Sequence, residues 1–505
     1  MGSALATSHA PGRIVSINPA NGVPLGDVPD MGADEIRAAV ARARAAQREW
    51  GQLPLETRCK RVRRFAEVLM DRTEEVIDLL VKEMGKTRQE ALGMEILVVA
   101  DLTRYFCKHA PKQLAPEAIP LHLMKQRASY LHYVPRGVIG VIAPWNFPFS
   151  IPMSETIMAL IAGNGVVLKP SEITPLIALK AKELLDAAGI PTDLVQIVTG
   201  RGGAGAALID AGIDFCVFTG SVATGKKVAA ACGERLIPCT LELGGKAPAI
   251  VCADADLDRT VGGLVWGAFA NSGQVCASVE RVYAVEAIHD QLVERIVAET
   301  TALRQGDGDT EVDVGAMAWD RQVEHVAGLV DKAVAAGATV ACGGTRPAGR
   351  GQFYPPTVLT GVRQDMDVAR KEIFGPVMPI IKVRSEEEAL ALANDSHLGL
   401  TAYVFSRDVA RARRLGERLE AGTVMINDVL SSFAFPETPW GGVKQSGIGR
   451  THSVIGLRDL CETRHVNYDR IKMGREIWWY PYKTKTFGFL LKAAKVLFGK
   501  RPWQR

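Results

Sequence analysis

The sequence predicts an α/β fold with mainly parallel, covered sheets, on three observations. From 137 onward, short aliphatic runs alternate with amphipathic helical stretches: "GVIGVIAPW", "SETIMALIAGN", "GVVLKPSE", "TPLIALKAKELLDAAGI", "LVQIVTG", "DFCVFTG", "ATGKKVAAACGE" and "PCTLELGG". A second series of the same kind runs from 247 to about 440. Strands and helices in that order imply right-handed βαβ units. The 505 residues, 47% of them hydrophobic, exceed what one core accommodates, about 250–300 residues, so two or more domains are expected.

Taken in order, residues 33–50, 56–84 and 87–110 place apolar side chains three and four apart with charged faces between, which reads as helix. From 118 the pattern changes to the more alternating "AIPLHLMKQRASYLHYVPRG", between turns that contain Pro116 and Pro135, and predicts an antiparallel hairpin. The α/β series follow it.

The net charge of +4 is small for this length and no long basic block interrupts the body of the chain, which argues against nucleic acid as a partner. The charge is uneven, however: residues 471–505 hold nine Lys/Arg against one acid, Glu476, leaving −4 for everything before them. Nine scattered cysteines without a CxxC pair fit a reducing compartment and indicate neither a disulfide framework nor a metal site. The N-terminal "MGSALATSHA" lacks the regions of a secretory signal, and Ala6 stands where a myristoylation motif wants Ser or Thr. No apolar run is long enough to span a bilayer. A cytoplasmic location is therefore expected.

Two glycine-rich turns could receive a phosphate. "VTGRGGAG" carries Gly200, Gly202 and Gly205 as a GxGxxG after a strand, but the following acids miss the usual offset of about 20 residues, and an ordinary turn is the plainer reading. In "FTGSVATGKK" a strand ends at Phe218, and Thr219, Gly220, Ser221 and Gly225 lead into a helix whose free N–H groups and dipole favour an anion. The second is preferred, although an ordinary N-capped helix would look the same.

"NSGQVCASVE" raises a different question, because Cys276 sits among small side chains and could be core filler, metal ligand or nucleophile. The motifs around it answer. "APWNFP" (143–148), "LKPSEITP" (168–175), "FTGS" (218–221), "LELGGKAP" (241–248), "SGQVCAS" (272–278), "EIFGPV" (372–377), "NDSHLGLTA" (394–402) and "PWGGVKQSGIGR" (439–450) occur in an order and at intervals that resemble the NAD(P)-dependent aldehyde dehydrogenase superfamily, over roughly residues 15–465.

The resemblance implies a Rossmann-like cofactor domain (1–116 and 136–244, with 446–463), an α/β catalytic domain (245–445), a small β oligomerisation arm (117–135 and 464–470), and a homodimer or homotetramer. It implies Cys276 as the nucleophile that forms a thiohemiacetal, Asn146 as oxyanion donor together with the Cys276 N–H, and Glu242 as the base for the water that hydrolyses the thioester. On the residues alone, Asn146 could serve a turn and Glu242 could be a paired carboxylate. For the cofactor it implies Lys169 and Glu172 at the adenosine ribose, Ser221 at the pyrophosphate, Glu372 at the nicotinamide ribose and Phe374 beside the ring, with Trp145, Ser171, Thr219, Gly220, Gly225 and Leu243 around them. A carboxylate at position 172 accepts a 2′-hydroxyl and repels a 2′-phosphate, so NAD is expected, with NADP as the open alternative.

Two departures from the family pattern concern proton traffic: Glu155 replaces a lysine frequent in relatives, and Thr451, beside His452, replaces an acid. For the substrate, Phe147 and Val275 flank the reacting residues, and the loop "VLSSFAFPETPW" brings Phe433, Phe435 and Trp440 with no Lys or Arg. A dicarboxylic semialdehyde would want a cation there, so an apolar aldehyde, long-chain or aromatic, is expected. The alternatives are a small polar amino- or semialdehyde, a CoA-acylating relative, for which Glu242 is unsuited, and a non-catalytic member, which would be expected to have lost Cys276 or Glu242.

In the tail, Phe487, Leu490, Leu491, Ala494, Leu497 and Phe498 recur at helical spacing, with Lys485, Lys492 and Lys495 off that stripe and the rings of "IWWYPY" upstream. Residues 477–503 read as an interfacial anchor on anionic lipid, resembling the tails of membrane-associated fatty aldehyde dehydrogenases. A helix packed on a partner subunit or over the tunnel mouth is the competing reading.

Overall fold

A computed structural model describes residues 12–349, 351–471 and 474–499. The readings made of residues 1–11 and of the tail's last residues, Trp503 included, lie outside the described residues.

The expected helices form, with boundaries set by local chemistry. Ala33–Gln52 begins after Gly32, whose N–H donates to the Glu35 carboxylate at 2.8 Å, and it buries Ile36, Ala39, Val40, Ala43 and Trp50 along one face. The stretch 56–84 is not continuous: Leu55–Asp71 and Thr73–Met84 meet at Arg72. The stretch 87–110 contains a π-helical turn, Ala91–Ile96, before Leu97–Gln113. An antiparallel pair, Arg13–Ile17 with Pro24–Pro29, precedes them all and is absent from the sequence-based expectation.

Two sheets carry the body of the chain. In the first, the order is Gly447–Ile448, Cys239–Glu242, Phe215–Thr219, Val138–Ile142, Gly165–Lys169, Val195–Ile197, all parallel except the first strand. Chain order reverses between Val138–Ile142 and Phe215–Thr219. This is the doubly wound arrangement, whose crevice lies beyond the carboxyl ends of the strands at that reversal. The residues that follow those two strand ends are Ala143–Asn146 and Gly220–Ser221.

The second sheet runs Thr339–Cys342, Thr357–Thr360, Val377–Val383, Val279–Val285, Ala247–Val251, Thr401–Phe405, Thr423–Ile426, parallel except for the first. Ala247–Val251 and Val279–Val285 are buried at every position; the first is wholly apolar in sequence, while the second carries Glu280 and Arg281, which are buried with partners, Glu280 on Lys246 Nζ at 2.8 Å and Arg281 on Lys246 O at 3.0 Å.

The chain divides into two units, one of residues up to Leu114 with Val134–Glu462, the other Ala115–Tyr133 with Thr463 onward. In the smaller unit the expected hairpin exists, but its first strand is only Glu117–Ala118, paired with Tyr130 and Leu131 of Arg127–Pro135. Cys461–Asp469 adds on the other side of Arg127–Pro135. The tail belongs to this unit: Arg127 bonds Asn467 and Glu476, both at 2.8 Å. Thr484–Phe498 is the predicted helix and buries none of its residues. It is less one-sided than the stripe suggested, because Phe489 and Val496, 62% and 72% exposed, fall among the lysines.

Candidate active site

Two cavities of the larger unit meet at Cys276. One, about 590 Å³, is walled by Phe147, Val275, Phe433, Trp440, Glu155 and Thr451 among others. The second, about 720 Å³, opens at the carboxyl ends of the first sheet. Cys276, Glu242, Thr219 and Leu243 line both. A thiol and a carboxylate therefore stand at the junction of an apolar chamber and a switch-point crevice.

The loop that presents Cys276 is strained and held by side chains. Asn271 (φ 53°), Ser272 (φ 54°) and Gly273 (φ 70°) are three consecutive left-handed residues, a conformation that costs a non-glycine roughly 1–2 kcal/mol. Asn271 N–H donates to Glu90 Oε1 at 2.6 Å, Ser272 Oγ to Gly315 O at 2.8 Å, and Gln274 Oε1 accepts from Ala318 N–H at 2.9 Å. Only glycine fits at 273, where a Cβ would stand 2.2 Å from Gly375 O. Gly245 of "LELGG" has the same reason, since its Cβ would stand 2.2 Å from Cys276 O.

Burial dominates the electrostatics. The Cys276 thiol is pushed up to about 12 by burial, with Glu372 and Glu242 adding to the shift. Glu242 ends the strand Cys239–Glu242, is 6% exposed, and among the described residues neither of its oxygens has a hydrogen-bond partner. Burial first, and the negative charge of Glu155 second, hold its carboxyl well above the usual range, with Arg450 opposing. Glu155, which accepts from Thr451 Oγ1, is pushed up to about 7 by burial against that bond. Buried His452 is driven down to about 4 by desolvation, and its ring lies tilted at 44° to that of Phe433 with centroids 4.6 Å apart. Asn146, 3% exposed, donates Nδ2–H to Gln274 O at 3.0 Å.

The crevice residues suit a dinucleotide. Ser221 caps the helix Val222–Glu234, accepting from Thr224 N–H at 3.3 Å, so its cap role and its place on the cavity wall coexist. Lys169 lies 3.4 Å from Glu172. Glu372 accepts from Gly245 N–H at 2.9 Å and is pushed up to about 8 by burial. Trp145 and Phe374 meet edge to face at 5.3 Å, and Ser171 and Gly220 line the same space. Hydroxyl acceptors, a helix N-terminus and aromatic faces in one crevice are what a ribose–pyrophosphate–ring ligand requires.

Several expectations change. Gly225 lies off the cavity wall, and its missing side chain makes room for Leu243, which a Cβ would approach to 2.5 Å. Phe435 is 44% exposed and outside the chamber wall. Gly202 and Gly205 of the GxGxxG do line the crevice together with Ser221, so the two glycine turns share one site. Sequence reasoning missed Lys86 and Glu95, a fully buried ion pair at 2.5 Å beside the Asn146 loop. In "MGKTRQEALGMEI" both look like the charged face of a surface helix, and no spacing distinguishes them.

Fold and site together place a thiol and a buried carboxyl beside a crevice suited to a dinucleotide. The aldehyde dehydrogenase family model matches residues 6–466. A protein of Mycolicibacterium smegmatis named "Putative succinate-semialdehyde dehydrogenase (NADP(+))" is 38% identical over 447 residues, 88% of this chain and 86% of the relative. The 4,4'-diapolycopene aldehyde oxidase of a Methylomonas species is 37% identical over 483 residues, 94% and 90% of the two chains. Among solved structures, the NAD+ complex of Bacillus cereus aldehyde dehydrogenase superposes with a TM-score of 0.87 at 34% identity, covering 90% of this chain and 93% of that one. An Escherichia coli NADP-dependent enzyme gives 0.87 at 35%, covering 90% and 95%. The chain belongs to the aldehyde dehydrogenase family.

Proposed function

We propose that this aldehyde dehydrogenase oxidises an apolar aldehyde, long-chain or aromatic, to its carboxylic acid with NAD. Cys276, having lost its Sγ proton to solvent, attacks the carbonyl carbon as the thiolate, and Asn146 Nδ2 with the Cys276 N–H receives the developing oxyanion; losing one such donor typically costs about 3 kcal/mol of barrier. NAD, when bound in the crevice, supplies the hydride acceptor. Lys169 and Glu172 hold its adenosine ribose, Ser221 its pyrophosphate and Glu372 its other ribose. Glu242 then takes a proton from the water that hydrolyses the Cys276 thioester, which favours hydrolysis over transfer to a CoA thiol. On this reading residues 1–116, 136–244 and 446–463 form the cofactor domain and 245–445 the catalytic domain. Residues 117–135 with 464–470 are the contact arm of a cytoplasmic homo-oligomer.

The observation that carries the substrate class is the chamber wall. Among the described residues it contains no Lys, Arg or His, while Glu90, Glu155, Glu242, Glu299 and Asp313 contribute carboxylates. A substrate ending in a carboxylate would meet no cation to pair with, and any ionised carboxylate of the wall would repel it. The names of relatives pull the other way: the M. smegmatis relative is named for succinate semialdehyde and backs a small semialdehyde better than a fatty one. The Methylomonas relative is named for a different aldehyde, that of diapolycopene. An absorbance assay of reduced cofactor across butanal to dodecanal, benzaldehyde and succinate semialdehyde separates them. We expect kcat/KM to rise up to about fourfold per added methylene, from about 0.8 kcal/mol each, until the chamber is full. Succinate semialdehyde outperforming decanal would establish the semialdehyde reading instead. Higher kcat/KM with NADP in the same assay would overturn the role given to Glu172.

The tail is proposed as a membrane-surface element. Phe487, Leu497 and Phe498 are 66%, 54% and 73% exposed, lysines flank them, and among the described residues no helix is long and apolar enough to cross a membrane. Such a helix suits the interface of an anionic bilayer. Full-length protein is expected to float with phosphatidylserine-containing liposomes at low salt, and a variant lacking 474–505 to stay in the pellet fraction. Equal flotation of the two would discard the anchor.

A further inference from the structure

Asn146 sits in a loop, "NFPF", that joins a strand to the helix Ser150–Ala162, so its amide can aim at a reacting oxygen only if the loop is fixed from outside. We infer that the buried Lys86–Glu95 pair is the device that fixes it, and that both are positioning residues for Asn146.

The contacts bracket the loop. Lys86 Nζ donates to Asn146 O at 3.1 Å and lies 4.4 Å from the centre of the Phe147 ring. Glu95 Oε1 receives Lys86 Nζ at 2.5 Å, and Oε2 accepts the N–H groups of Phe149 at 3.2 Å and Ser150 at 2.6 Å. Three of the four loop residues, Asn146, Phe147 and Phe149, and the first helical residue, Ser150, are thus touched by one ion pair whose side chains are both 0% exposed. Glu95 lies in the π-helical turn Ala91–Ile96, an insertion that costs regular hydrogen bonding and is concentrated at functional sites.

The same segment reaches the nucleophile loop. Glu90 Oε1 accepts Asn271 N–H at 2.6 Å, and Asn271 Nδ2 donates to Asn146 O at 3.1 Å and to Gln274 O at 3.2 Å. Asn146 O therefore receives Lys86 and Asn271 together, so residues 86–95 register the oxyanion donor against the Cys276 loop. Stability alone gives little reason to keep such a pair, since replacing both partners of a buried ion pair by neutral groups is frequently neutral or stabilising. Geometry does give a reason: partners one shell removed from a reacting centre typically change function 10–100-fold when altered.

The inference rests on the proposed role of Asn146, and a double-mutant cycle separates the two. Lys86→Met combined with Glu95→Gln removes both charges while leaving an amide oxygen for the Phe149 and Ser150 N–H groups. It is expected to fold with an unchanged melting temperature, to lower kcat about 10–100-fold, and to leave KM for NAD within about threefold. In the Asn146→Ala background the same pair of changes should lower kcat no further. If it lowers kcat by the same factor there, the pair does not act through Asn146 and the inference fails. If Asn146→Ala itself leaves kcat intact, the oxyanion assignment fails first. Glu95→Asp, which keeps the charge balance but withdraws the carboxylate by one methylene, serves as the milder variant should the double change misfold, with the same cycle and the same deciding outcomes.

Discussion

Cys276→Ala is expected to lower formation of reduced cofactor from any aldehyde by about 10⁴-fold or more, the scale seen when a covalent nucleophile is removed, while dinucleotide affinity and melting temperature stay at parent values. Cys276 is the one thiol at which the two cavities meet among the described residues. Because burial and the neighbouring Glu372 and Glu242 push its thiol up to about 12, only a small fraction is thiolate in the unliganded protein at neutral pH. Alkylation by iodoacetamide should therefore accelerate about tenfold per pH unit between 7 and 9, and the alanine variant should lack that labelling. Aldehyde oxidation by Cys276→Ala at the parent rate would remove the basis of the mechanism.

How much of this was legible in the sequence depends on the kind of force involved. Alternation of buried aliphatic runs with amphipathic helices makes both parallel sheets legible, because a strand covered on two faces is mostly apolar, as Ala247–Val251 and Val138–Ile142 are, and takes a polar residue only with a buried partner, as at Glu280 and Arg281. The glycines of "LELGG" and "SGQVC" are legible as necessities of close approach, although the atoms they approach, Cys276 O and Gly375 O, come from distant segments and are visible only in three dimensions. The hairpin Arg13–Ile17 with Pro24–Pro29 was illegible because its strands show little apolar alternation, with Ile14, Ser16 and Val28 as their only strongly buried residues and one of them polar. Lys86 and Glu95 were illegible for the opposite reason. Charged residues default to the surface in any sequence reading, and only the fold shows that these two neutralise each other inside it. Phe435 was over-read: proximity in sequence to Phe433 and Trp440 does not place it in the chamber, since the short helical turn Ser431–Ala434 directs it outward.

Glu242→Gln should separate the two halves of the reaction. Attack and hydride transfer do not need this carboxylate, so the variant is expected to release about one equivalent of reduced cofactor per site in a burst and then to turn over 10²–10⁴-fold more slowly, the usual contribution of a general base. The pH dependence follows from the surroundings of Glu242. Its carboxyl is held well above the usual range by burial and by Glu155, and among the described residues no hydrogen bond stabilises its charged form. Glu242 is therefore protonated at low pH and becomes a base as pH rises through its raised pKa, which makes kcat climb with pH wherever deacylation limits. Glu155 is itself pushed up to about 7, and once ionised its negative charge opposes the ionisation of Glu242. Replacing it by the neutral Glu155→Gln removes a like charge, stabilises the Glu242 carboxylate, and should move the acid limb of the kcat profile to lower pH while the burst amplitude stays unchanged. A limb that stays in place or moves upward in Glu155→Gln would show that the two carboxyls do not interact during turnover, and steady-state turnover of Glu242→Gln at the parent rate would assign the deacylating base to another group.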